Sequence, residues 1–196
     1  MDAFKTAKFL DSTGTYMSPA CRMMYASLFK KAPTAKGQTD VTKFKFQITI
    51  LIPADADISV LEEAAEATKQ NKWTPAALKT KKVKLPILDT RDEPRLAEYA
   101  EDFPHMIRLK SNTRPGVKTK AMADVNEADE PDEIYNGRWC RVTMQPFAYE
   151  VESAGVSFGL GNVQLLDHAD KIAGGAVAAE SEFEAVGEDE LEDMVG

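Results

Sequence analysis

Four lysines, Lys79, Lys81, Lys82 and Lys84, fall within six residues, and a second basic stretch, Lys110-Ser111-Asn112-Thr113-Arg114-Pro115-Gly116-Val117-Lys118-Thr119-Lys120, surrounds a Pro-Gly turn. Cations beside small hydroxyl and amide side chains suit anionic oxygens, because the cations supply charge and the small groups hydrogen-bond. Arg138-Trp139-Cys140-Arg141 adds a flat ring between two guanidinium groups, and Phe147 and Tyr149 follow shortly after. A cation-lined surface with outward rings fits a polyanion that also carries stackable faces. Each run taken separately is more often a solvated face, and Trp139 reads equally as a core residue.

Other chemistry finds little support. Gly159-Leu160-Gly161-Asn162 lacks the third glycine and the following helix of a dinucleotide fingerprint, and there is no Gly-Lys-Ser/Thr phosphate loop. Six acids crowd residues 124–133 (Asp124, Glu127, Asp129, Glu130, Asp132 and Glu133), without the spacing or central glycine of a calcium loop. His105 and His168 have no metal-ligand spacing to Cys21 and Cys140, so neither a zinc site nor a cofactor is expected. The two cysteines are 119 residues apart and are expected to stay reduced. No enzymatic constellation emerges.

The elements that must position the cations show mostly period-two patterns. Residues 43–50 set Phe44, Phe46, Ile48 and Ile50 on one face and Lys43, Lys45, Gln47 and Thr49 on the other, the signature of a half-buried strand. Residues 106–110 alternate likewise, with Arg108 and Lys110 outward. Residues 138–145 place Cys140, Val142 and Met144 inward and Trp139, Arg141, Thr143 and Gln145 outward. Residues 155–163 make another strand, with Gly159 and Gly161 on the face opposite Val156, Phe158 and Leu160; glycines there allow a backbone or ligand to come close. Helices are expected over 59–71, with Ser59 and Glu62 as a capping box, from Pro75, and over 94–101. Residues 124–133 read as an exposed loop. The class is β-rich α+β, without the regular alternation of a doubly wound sheet.

Charge is divided along the chain. After Lys171 come eight acids and no cation, which equals the formal net charge of −8, so the remainder is formally neutral. Such an end can imitate a polyanionic ligand or dock on basic partners. The longest apolar run, residues 48–53, is too short to cross a bilayer, and the N-terminus offers no secretory signal.

Several stretches resemble a family of tailed-phage single-stranded DNA-binding proteins: Tyr16-Met17-Ser18-Pro19, Tyr25-Ala26-Ser27-Leu28-Phe29, Leu51-Ile52-Pro53, Ile107-Arg108-Leu109-Lys110-Ser111-Asn112-Thr113-Arg114-Pro115-Gly116, Tyr135-Asn136-Gly137-Arg138-Trp139 and Val156-Ser157-Phe158-Gly159-Leu160-Gly161-Asn162-Val163-Gln164. Their order and the acidic end carry the resemblance, over most of residues 15–170. It implies an OB-fold-like five-stranded barrel with short helical insertions over residues 1–172, followed by a disordered acidic tail, 173–196, that competes with DNA and recruits replication or recombination proteins.

The expected activity is non-enzymatic coating of single-stranded DNA in the cytoplasm of an infected bacterium, during replication, recombination or repair. Duplex binding and homo-oligomerisation are left open, and no membrane is involved. The candidate contacts, chosen by outward phase, charge and aromaticity, are Lys43, Lys45, Lys79, Lys81, Lys82, Lys84, Arg108, Lys110, Arg114, Lys118, Lys120, Arg138, Trp139, Arg141, Phe147 and Tyr149. In the tail, Phe183, Glu188, Asp189, Glu190, Glu192 and Asp193 are the candidate partner-binding residues. The rivals are an adaptor of the replication machinery without intrinsic DNA binding, and a nuclease using the acids at 124–133.

Overall fold

The alternation of residues 43–50 is realised in β4 (Lys45–Ile52), whose Phe46, Ile48 and Ile50 face the core. The computed structural model describes residues 4–151 and 153–173, so the expected tail lies outside the described residues apart from Ala173. Among the described residues, nine strands form one sheet: β1 (Lys8–Leu10), β2 (Thr15–Met17), β3 (Cys21–Ala32), β4, β5 (Ile87–Asp89), β6 (His105–Ser111), β7 (Val117–Lys118), β8 (Trp139–Val151) and β9 (Ser153–Leu165). β3 pairs with β4, β4 with β6, β6 in parallel with β9, β9 with β8, and β8 with β3. The pairings therefore return to their start, and the principal core lies inside that circuit, built on Met23, Leu28, Ile48, Ile50, Ile107, Leu109, Val142, Met144 and Phe158.

α1 (Ser59–Lys72) packs Leu61, Ala64 and Ala65 inward and lies against β8 and β9. Its start differs from the expected capping box. The N-cap is Ile58, and the Asp57 carboxylate one residue earlier accepts the Ser59 amide at 3.0 Å. α2 (Pro75–Leu78) begins as expected, with the Thr74 hydroxyl accepting the Ala77 amide. The helix expected over 94–101 is reduced to a 3-10 turn, Ala97–Tyr99. Leu96, Tyr99 and Phe103 are instead spread over a second small core on the outer side of the sheet, with Met24, Leu51 and Met106. Residues 124–133 are not a plain loop: a 3-10 turn, Glu127–Asp129, runs into α3 (Glu130–Glu133), with Pro131 in its first turn.

The Cys21 and Cys140 thiols face each other across the seam between β3 and β8, unbonded and fully buried, with Sγ atoms 3.8 Å apart. The hydrogen bond with Cys21, and then burial, push the Cys140 thiol well above its ordinary value. No helix among the described residues is long and apolar enough to cross a membrane.

Candidate nucleic-acid interface

Inward alternation on β4 and β6 forces their intervening residues onto one outer face. Thr49 stands opposite Arg108, and Gln47 opposite Lys110. One row further, Lys45 Nζ bonds Asn112 Oδ1. This face is the floor of a groove of about 590 Å³, walled by residues 33–38 on one side and by residues 93–96 on the other. The walls are tied to the floor: Gln47 Nε2 donates to Pro33 O at 3.0 Å, and Lys110 Nζ to Thr34 O at 3.4 Å. Arg108 Nη2 lies 2.6 Å from the Glu93 carboxylate.

The groove is electropositive at its floor. Partial burial, then the nearby charges of Arg108 and Lys45, lower the pKa of Lys110 below the ordinary lysine value. An incoming anion would relieve that repulsion. Lys36 and Arg95 stand in the two walls, so five cations (Lys36, Lys45, Arg95, Arg108 and Lys110) gather around one trough that contains Glu93 as the acid of its lining.

The floor continues past β6. Lys110 is in parallel register with Gly159 of β9, and a Cβ on Gly159 would meet only the Gln145 carbonyl and the Phe147 ring, at ordinary contact distances of 3.7–3.9 Å. Phe147 is 47% exposed and lies beside this open strip, with the Tyr149 ring 6.5 Å away. The other glycines of β9 do not leave such space: the Thr143 side chain covers Gly161 and the Tyr149 ring covers Gly155.

Of the residues singled out from the sequence, Lys45, Arg108 and Lys110 line or border the groove, and Phe147 lies on the adjoining strip. Lys43 ends a 3-10 turn, Val41–Lys43, ahead of β4 and pairs with Asp40 at 3.6 Å. Arg114 caps the Phe29 ring at 4.9 Å. Others lie elsewhere. The segment carrying Lys79, Lys81, Lys82 and Lys84 runs beside the end of the β8–β9 hairpin, where Lys81 pairs with Glu150 and the Lys84 amide bonds Ala154 O. Arg141 and Lys118 line a separate cleft with Met122 and Asn162; Arg141 donates to Gln164 at 2.7 Å, and Lys118 pairs with Asp124 at 2.6 Å. Lys120 pairs with Asp167 at 2.9 Å.

Two residues of the Arg138–Arg141 run are less open than their phase suggests. Arg138 is 4% exposed: its guanidinium donates to Leu166 O at 3.0 Å, contacts the His168 ring, and pairs with Glu133 at 3.1 Å, so its contacts are within the fold. Trp139 is half-buried, packed under Arg22 at 5.1 Å and beside Phe103, and lines a separate cleft with Phe4, Lys120 and His168. Sequence reasoning missed Tyr25, Lys36, Glu93 and Arg95, which the structure brings to the groove. Their charges were visible, but the elements holding them were not.

Among the described residues, no cluster of three or more His, Cys, Asp or Glu side chains is arranged to hold a metal ion. The family model described as "Enterobacter phage Enc34, ssDNA-binding protein" matches residues 16–195. The chain belongs to that family. Its fold is similar to that of the single-stranded DNA-binding protein of bacteriophage Enc34 solved in complex with ssDNA, at 24% identity and a TM-score of 0.68, covering 85% of this chain and 93% of that one. A second structure of the Enc34 protein matches at 22% identity and a TM-score of 0.68, covering 91% and 95%. The single-stranded DNA-binding protein encoded by bacteriophage T7 is a more distant likeness, at 14% identity and a TM-score of 0.53 over 93% of this chain and 94% of that one. No curated protein sequence matches the chain at a significant level.

Proposed function

We propose that the protein coats single-stranded DNA with little sequence preference during phage replication, recombination or repair in the host cytoplasm, and that it is not an enzyme. The observation that carries this reading is the convergence of Lys45, Arg108 and Lys110 on one outward face, in a chain of a single-stranded DNA-binding family. Cations there neutralise phosphates, and rings beside them stack bases; neither contact reads base edges. The closed pairing circuit of β3, β4, β6, β9 and β8 supports an OB-fold-like five-stranded barrel, whose outer sheet face is a familiar strand-binding surface.

The division into a DNA-binding domain, residues 1–172, and an acidic tail, 173–196, belongs to the same proposal. Eight acids and no cation after Lys171 would compete with DNA for the groove and offer a handle to replication or recombination proteins. Anisotropy titrations of labelled single- and double-stranded oligonucleotides, with full-length and tail-less protein, test both parts. Tighter binding to the single strand, and a further gain at low salt on deleting the tail, are expected. Absence of single-strand binding by either form refutes the function; equal affinities of the two forms refute the competition.

A further inference from the structure

Tyr25 stands out in the groove by its backbone. Its φ is +49°, in the left-handed region, which a side chain of this size adopts only under constraint. The constraint is visible. The register between β3 and β4 shifts between Met24 and Ser27, so Tyr25 sits in a bulge. Asn136 Oδ1 accepts the Tyr25 amide at 2.8 Å, while Met23 is clamped on both sides, accepting from Gly137 N at 2.7 Å and donating to Arg138 O at 2.9 Å. The turn at residues 135–138 thus holds the bulge from outside the strand.

Met24, opposite Thr49 and before the bulge, faces outward by plain alternation and is fully buried in the outer core with Leu96 and Met106. The bulge then places Tyr25, which packs against that core, in the groove lining with Arg108, Arg95 and Thr49. The electrostatic neighbours of the phenol include Glu93, Arg95 and Arg108, which places it among the groove's charged groups. Glycine or asparagine would satisfy the bulge without the steric conflict, so the backbone alone does not call for an aromatic residue at this position.

We propose that Tyr25 is a base-stacking platform of the groove, presented by the bulge in the company of Arg95 and Arg108. This rests on the proposed single-strand binding and names the aromatic contact of the same site, for which the sequence had suggested Trp139. Stacking uses the ring face and not the hydroxyl, which sets the test.

Full-length protein is titrated against fluorescein-labelled oligothymidylate, alongside Tyr25→Phe and Tyr25→Asn. The phenylalanine variant should bind within about twofold of the parent, and the asparagine variant about 5- to 150-fold more weakly, with the parent's circular dichroism spectrum. An asparagine variant that is folded and binds like the parent overturns the assignment while leaving the proposed function standing. A parent that fails to bind the oligonucleotide overturns both. Photocrosslinking of the unmodified parent to an oligonucleotide containing 5-iododeoxyuridine provides a readout independent of variant folding. A crosslinked peptide containing Tyr25 supports the proposal, and crosslinks confined to other peptides overturn it.

Discussion

Lys110 provides the most quantitative test of the groove. Replacing it with Gln removes one of five cations around the trough and keeps a polar side chain in its place. If each cation meets one phosphate, single-strand affinity should fall with salt at a log–log slope of about −3.5, because each contact releases about 0.7 of a counterion. Between about 50 and about 200 mM salt the parent then loses affinity roughly 130-fold. Lys110→Gln should show a slope of about −2.8 and a loss of roughly 50-fold over the same range. Lys8→Gln, on β1 and outside the groove lining, is the control and should keep the parent's slope. Anisotropy titrations at four or more salt concentrations measure both slopes. Equal slopes for parent and Lys110→Gln, with the control also unchanged, would refute the argument that this lysine takes a phosphate.

Three other perturbations separate the groove from the scaffold. Glu93→Gln frees Arg108 from its partner at 2.6 Å; the pair is partly exposed, so the gain in oligonucleotide affinity should be about 1.4- to 5-fold, read in the same titration, and weaker binding would contradict it. Arg138→Ala leaves Glu133 without its buried partner and should cost about 3 kcal/mol, lowering the thermal midpoint by about 6–12 °C. A full-strength midpoint would show that the pair is dispensable. For pH, the Lys110 value is depressed, so the folded protein holds fewer protons than the unfolded chain between that value and 10.5. Through this window the unliganded fold gains stability as pH rises, whereas oligonucleotide affinity falls as the phosphate contact loses its charge. Lys110→Gln should abolish that alkaline decline in affinity, measured at constant ionic strength.

What was legible in the sequence follows from which strands have one wet side. β4 and β6 bury one face in the main core, so the alternation of Phe46, Ile48 and Ile50 with Lys45, Gln47 and Thr49 survives, and with it the phase of Arg108 and Lys110. β3 was not legible because its two sides are both covered over part of its length. Met23 enters the main core and Met24 the outer one, and the bulge at Tyr25 breaks the alternation just after them. The same outer core explains the lost helix at 94–101, since Leu96, Tyr99 and Phe103 bury more by spreading over Met24 and Met106 than by winding together.

The charges were legible and their surfaces were not. Lys81 meets Glu150, and Lys120 meets Asp167, partners 69 and 47 residues away in sequence. Phase alone marked Trp139 and Arg138 as available. In the fold, Arg22 and Phe103 pack on the first, which lines a separate cleft, and a carboxylate, a carbonyl and an imidazole enclose the second.

The most direct test of the central claim is a map of backbone amide shifts on titrating an oligonucleotide into isotopically labelled full-length protein. The account predicts changes concentrated at Thr49, Arg108, Lys110 and Gly159, along the outer face of β4, β6 and β9, with α1 and β1 unmoved. Shifts centred instead on the Arg141 and Lys118 cleft, or on the lysines at 79–84, with the β4 and β6 amides silent, would contradict it.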